Sequence, residues 1–266
     1  MKIPLYQVDA FASRAFEGNP AAVCPLQAWL PDGLMQAIAA ENNLSETAFF
    51  VAEGGGYAIR WFTPEAEVEL CGHATLASAF VVFNELGFDG DTVVFDSRSG
   101  PLPVTRDADR LTLDFPAQPP EACATPPEVE AAFGGIRPVE CLRSADLLVV
   151  LGSAGEVRSA SPDIGQLARV PARGIIITAA DTEYDFVARF FAPAVGIPED
   201  PVTGSAYTQL APYWAARTGK TRFHARQVSR RGGDVTCELA GDRVLITGRA
   251  VKILAGAFEL GKVVLP

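Results

Sequence analysis

Glu46, His73 and Asp200 are the side chains whose surroundings best suit them to move a proton. Glu46 stands at the mouth of the apolar run Thr47-Ala48-Phe49-Phe50-Val51. His73 follows Gly72 in Glu67-Val68-Glu69-Leu70-Cys71-Gly72-His73-Ala74-Thr75, where a short acidic strand gives way to an apolar helix. Asp200 lies in Glu199-Asp200-Pro201-Val202-Thr203-Gly204-Ser205-Ala206-Tyr207. Transfer of a proton between two carbons needs such groups, with pKa values pushed apart by burial and neighbours. Each also has a plainer reading. Glu46 could be a solvated surface carboxylate, and His73 a satisfied, half-buried histidine.

The element that positions His73 organises the chain. From Ala74 to Phe83 it has no charge, its only polar side chains are Thr75 and Ser78, and it stops at Gly87. A helix apolar all round is surrounded by protein. Its first turn still leaves backbone N–H groups without helical partners and a partial positive charge. Gly72 has no side chain to keep a ligand away from that turn, so a small anion is the expected guest.

This stretch has an echo. Cys71-Gly72-His73-Ala74 corresponds to Thr203-Gly204-Ser205-Ala206 at a separation of 132 positions. Upstream, Arg60-Trp61-Phe62-Thr63-Pro64 answers to Arg189-Phe190-Phe191-Ala192-Pro193 at 129. A period of half the chain means a duplicated domain and not a solenoid of short repeats. Two such domains suggest a cleft with two facing helix dipoles, able to hold a carboxylate and stabilise negative charge beside it. The candidate site is asymmetric. Glu46 shifted by 129 lands on Ile175, and Asp200 answers to Val68, so each half offers one carboxylate without a twin.

Around these motifs the chain alternates strands and helices. Leu5–Ala10 reads as a first strand, and Gly18-Asn19-Pro20 as a turn that serves a hairpin and a ligand loop equally well. Pro31-Asp32 opens a helix through Met35, Ile38 and Ala39 that ends near Asn42-Asn43. Tyr57–Phe62 is a strand, and Thr92–Phe95 with Leu111–Phe115 read as a strand pair. Residues 117–127 are dense in proline and suit an extended linker. The expected domains are therefore 1–116 and 117–266, with a last strand over Ala257–Val264 whose return to the first domain is left open. Pro212 should kink or end the helix that follows Ser205.

Composition narrows the function. Of 266 residues, 48% are hydrophobic and 20% charged, with a net charge of -10, which argues against a nucleic-acid partner. No apolar run reaches the length of a membrane span, and the first residues lack the apolar core of a signal peptide. Five scattered cysteines and two histidines form neither a disulfide framework nor a metal-binding pattern, so no metal is expected and a reducing cytoplasm is.

Taken together, Gly18-Asn19-Pro20-Ala21, Asn43-Leu44-Ser45-Glu46-Thr47, Leu70-Cys71-Gly72-His73-Ala74-Thr75, Glu199–Ala206 and Gln227-Val228-Ser229-Arg230-Arg231-Gly232-Gly233 resemble the PhzF-like isomerases of phenazine biosynthesis. The resemblance implies a diaminopimelate-epimerase-like α/β (α+β) fold of two similar domains, each a curved mixed sheet wrapped around a central helix. It implies an isomerase without cofactor, acting by general acid and base on a small carboxylate-bearing amino or hydroxy acid. In the family's chemistry the glutamate, here Glu46, moves a proton between carbons of a hydroxylated cyclohexadiene amino acid, assisted by Asp200 and His73. Gly72, Gly204 and Ser205, with Asn19 and Ser45, are the implied substrate-binding residues, and a homodimer is the implied assembly. Tyr207 departs from the family, since many members carry histidine there. Two alternatives stay open: a racemase or epimerase of the same fold, and a non-catalytic small-ligand binder. The racemase chemistry wants two thiols, whereas Thr203 stands opposite Cys71 in the repeat.

Overall fold

In the structure, a computed structural model describing residues 1–261, the chain leaves a first unit at Asp114 and comes back to it at Thr247. Phe115–Ile246 make a second unit.

In the first unit, β1 (Lys2–Ala10) and β2 (Asn19–Leu26) form an antiparallel hairpin with Ala10 opposite Asn19. Helix α1 (Asp32–Asn42) leads to β3 (Glu46–Glu53), which lies parallel to β2. β4 (Gly56–Phe62) pairs antiparallel with β3 and with the short β5 (Glu67–Val68). Helix α2 (Gly72–Glu85) then crosses over to β6 (Thr92–Ser97), parallel to β4. β7 (Gly100–Asp107) and β8 (Arg110–Pro116) follow antiparallel. Strands buried on both faces read as continuous apolar runs, as Thr47–Phe50 does. Helix α2 packs on β1, β2, β3 and β6, which is why nearly every residue from Gly72 to Phe83 is buried.

The second unit begins with β9 (Glu121–Ala122), α3 (Pro127–Ala132) and β10 (Glu140–Arg143). β11 (Leu147–Val150) is followed by short helices α4 (Ala154–Ser159) and α5 (Ile164–Leu167), and then by β12 (Ile175–Ala180), parallel to β11. β13 (Phe186–Ala192) pairs antiparallel with β12 and with β14 (Ile197–Asp200). A 3-10 turn, Gly204–Ala206, runs into α6 (Tyr207–Thr218), and β15 (Arg222–Gln227) lies parallel to β13. β16 (Gly233–Ala240) pairs antiparallel with β15, and β17 (Arg243–Gly248) follows. β18 (Ala250–Glu259) runs antiparallel along β1, from Ala10 opposite Ala250 to Lys2 opposite Glu259.

The two units repeat one topology, parallel and antiparallel pairings falling in the same order around α2 and α6. A side-chain device repeats with it. Arg60 grips Glu67 with Nε and Nη2 at 2.7 and 2.8 Å and lies 5.2 Å from the Phe62 ring centroid. Arg189 grips Glu199 with the same two nitrogens at 2.7 and 3.0 Å and lies 5.0 Å from Phe191.

Four readings of the sequence need correcting. Leu111–Phe115 does not pair with Thr92–Phe95, because β7 lies between them, a strand disguised by Pro101 and Pro103. Residues 117–127 are not a free linker. Ala117, Gln118 and Cys123 donate backbone hydrogen bonds to Asp242, Thr208 and Cys141, and β9 pairs with β10. Pro212 neither ends nor delimits α6. It sits inside the helix, and the Thr208 carbonyl, whose helical donor would be residue 212, accepts from the Gln118 N–H at 2.9 Å. The last strand starts at Ala250, earlier than expected, and residues 262–264 of the expected strand lie outside the described residues.

Candidate active site

Three segments of the first unit converge on the start of α2. Gly18 adopts φ +65°, and a Cβ there would come within 2.1 Å of the Ala10 carbonyl oxygen, so only glycine makes this turn. The turn brings Asn19, the first residue of β2 and wholly buried, to His73: its Nδ2 lies 3.2 Å from His73 Nδ1. The other ring nitrogen, Nε2, lies 3.1 Å from Oε2 of Glu46, the first residue of β3. Cys71 completes the group, with Sγ 3.5 Å from Nδ1 and 4.0 Å from Nε2. Asn19, Glu46, Cys71 and His73 are all buried, and Gly72 sits among them; Ser45, just before β3, is half-buried.

Protonation follows from this packing. Burial is the largest influence on His73 and pulls its pKa down, and the positive end of α2 works in the same direction. Cys71 and Glu46, when negatively charged, outweigh it and hold the imidazole well above its usual value. The Cys71 thiol is itself pushed up to about 11, first by burial and then by the Glu46 charge. It is therefore neutral near pH 7. As oriented, the Asn19 amide donates to Nδ1, which leaves a single ring proton on Nε2 facing Glu46; turning the amide over supplies the acceptor that an imidazolium needs. Oε2 of Glu46 is buried, and its approach to Nε2 lacks hydrogen-bond alignment. The same three side chains offer carboxylate, thiol and imidazole atoms within 4.8 Å of one another, the donor types zinc takes, but binding there would have to displace the thiol proton.

The second unit holds Asp200, Gly204 and Ser205 in a cluster of its own. Thr203 Oγ1 donates to Asp200 Oδ2 at 2.5 Å. Gln227 Nε2 donates to the Asp200 carbonyl at 2.8 Å, and its Oε1 accepts from the Thr203 N–H at 2.9 Å. Ser229 Oγ donates to the Pro201 carbonyl at 2.8 Å. The segment before α6 is thus clamped by the 227–233 stretch, whose composition was visible in the sequence but whose task was not. Gly204 is buried in the 3-10 turn, and Ser205 is half-buried with Oγ accepting from Arg173 Nη2 at 3.4 Å. Arg173 carried no signal at all in the sequence.

The fold and this site, a two-unit α+β chain with a buried acid–imidazole pair at the head of a central helix, can be set beside known proteins. The outline of the fold is shared with a hydroxyproline epimerase from Agrobacterium vitis, at a TM-score of 0.63 and 11% identity over 96% of this chain and 92% of that one, a likeness of fold alone. The chain belongs to the phenazine biosynthesis-like protein family, whose pattern it matches over residues 8–256. Two Pseudomonas aeruginosa proteins, each named an uncharacterized isomerase, are 54% and 51% identical over 98% of this chain and all of theirs. A crystal structure of a phenazine biosynthesis protein of the PhzF family from Enterococcus faecalis superposes with a TM-score of 0.95 at 49% identity, covering 98% of this chain and 100% of that one. Among the described residues no helix is long and apolar enough to cross a membrane.

Proposed function

We propose that this chain is a cofactor-independent isomerase that moves a proton between carbons of a small carboxylate-bearing amino or hydroxy acid. The observation that carries the reading is the Glu46–His73 pair, buried and 3.1 Å apart at the head of α2. Glu46 takes and returns the substrate proton, and His73 holds the balancing charge beside it. Gly72 allows the substrate carboxylate to approach the first turn of α2, with Asn19 and Ser45 lining the approach. Asp200 is proposed as a second acid–base group, and Gly204 and Ser205 as further carboxylate contacts. The racemase alternative is disfavoured: Thr203 stands where the second thiol would be, and its hydroxyl is engaged with Asp200.

The test follows deuterium into carbon-bound positions of candidate amino and hydroxy acids in heavy water. Wild type should label a hit. Glu46→Gln, which keeps shape but cannot exchange a proton, should lose about 10²–10⁴ in rate. Equal labelling by both proteins would show that another group moves the proton. Asp200→Asn is the companion variant, and an unchanged rate would remove Asp200 from the chemistry.

A further inference from the structure

The duplication puts Gly174 where the first unit has its acid, with a cation one residue before it. Phe49 on β3 faces Arg60, and Ile177 on β12 faces Arg189, the counterpart of Arg60. Counting back equally from Phe49 to Glu46 leads from Ile177 to Gly174, and the residue before it is Arg173. Ser205 in turn occupies the place of His73 in the repeated motif. Arg173 thus answers to Ser45, and its contact with Ser205 at 3.4 Å gives the second unit a cation beside the place where the first unit has its acid.

Arg173 is held on two sides. Its Nε and Nη2 donate to the two carboxylate oxygens of Asp146 at 2.9 and 2.5 Å, and Asp146 is 1% exposed and also accepts from Gln209 at 3.2 Å. Gly174 makes room for this arrangement, since a Cβ there would lie 2.2 Å from Phe190 Cζ. The guanidinium carbon rests 5.8 Å from the centroid of that ring. Yet the Arg173 side chain stays 49% exposed, and Nη1 has no hydrogen-bond partner among the described residues. A buried carboxylate, a buried amide and a ring aim one guanidinium edge outward beside the Ser205 hydroxyl.

We propose that Arg173 is a specificity-determining residue that binds a carboxylate of the substrate beside Ser205, with Asp146 and Gln209 as its positioning residues. This deepens the isomerase reading and rests on it. The planar edge of Nη1 and Nη2 matches a carboxylate, and the Ser205 hydroxyl is free to rotate and donate to the same group. Because Asp146 already balances the guanidinium charge, a planar monoanion fits better than a phosphate dianion.

The experiment measures binding by calorimetry and thermal shift, with acetate, lactate and malonate set against acetamide, lactamide and malonamide, and with inorganic phosphate. Wild type should bind the carboxylates at millimolar concentration and discriminate against the amides. Arg173→Gln should weaken carboxylate binding by about tenfold or more, Arg173→Lys should recover part of it, and Arg222→Gln, which removes a surface charge, should change nothing. Should Arg173→Gln fail to fold because Asp146 is left unpaired, the double variant Asp146→Asn with Arg173→Gln carries the same test. Equal carboxylate binding by the variants, no discrimination by wild type, or a preference for phosphate would each overturn the assignment. Loss of deuterium labelling in Glu46→Gln without loss of carboxylate binding keeps the two readings separable. Once a substrate is found, Arg173→Lys should raise KM more than it lowers kcat.

Discussion

Glu46 lies against the Nε2 edge of His73 and helps to set its charge. The 3.1 Å contact between them joins those of Cys71 in opposing burial and the helix dipole at the head of α2. Removing the Glu46 carboxylate takes away part of the opposition, so the imidazole in Glu46→Gln should titrate at lower pH than in wild type. His73 and His224 are the only histidines, which makes their ring signals simple to follow by NMR. The linkage has a definite sign. A histidine whose folded pKa is raised contributes stability below its unfolded value, and that contribution fades as pH rises through the folded value. The stability advantage of wild type over Glu46→Gln should accordingly be largest in mild acid and shrink above the usual histidine range. An advantage that grows with pH would contradict this charge assignment.

Cys71 is not a base in this account. Its thiol, pushed up to about 11, is protonated at neutral pH, so Cys71→Ser should leave deuterium labelling within several-fold of wild type. A loss of several orders of magnitude would revive thiolate chemistry.

Gly18 sets Asn19 against the imidazole. Gly18→Ala places a methyl group against the Ala10 carbonyl in a backbone conformation that alanine avoids. A cost of about 1–3 kcal/mol in urea unfolding is expected, with labelling reduced beyond what lost stability explains.

The paired forks should be equivalent. Arg60→Lys and Arg189→Lys each lose a two-pronged grip on a glutamate, at a cost of about 1–3 kcal/mol apiece. The Glu67 pKa is held low, first by its hydrogen bond to Arg60. Stability from that grip is present above the unfolded value and lost as pH falls through the folded one, so melting curves of wild type and Arg60→Lys should converge in acid.

Much of this architecture was legible in the residues. The uncharged run from Ala74 to Phe83 announces a central helix, and the echo at Thr203–Ala206 announces its twin. The true counterpart of Glu46, next to Arg173, was hidden by register. The separation of 129 that aligns Arg60 with Arg189 sends Glu46 to Ile175, but the pairings of Phe49 and Ile177 shift the true counterpart to Gly174. Nothing local marks a slip of one residue in a strand that is apolar throughout. Residues 117–127 were misread for a different reason. Prolines there do lack donors, but Ala117, Gln118 and Cys123 between them do not.

One hydrogen bond has a consequence for how the second unit comes apart. Because Pro212 offers no N–H, the first turns of α6 are completed by Gln118, far away in sequence. Opening of the 117–122 segment therefore strands a helical carbonyl, and fraying of α6 releases the segment. The two should open together, as a single cooperative step in hydrogen exchange. The Gln118 amide, in a stretch with the composition of a loose tether, should exchange as slowly as the buried turns of the helix it finishes.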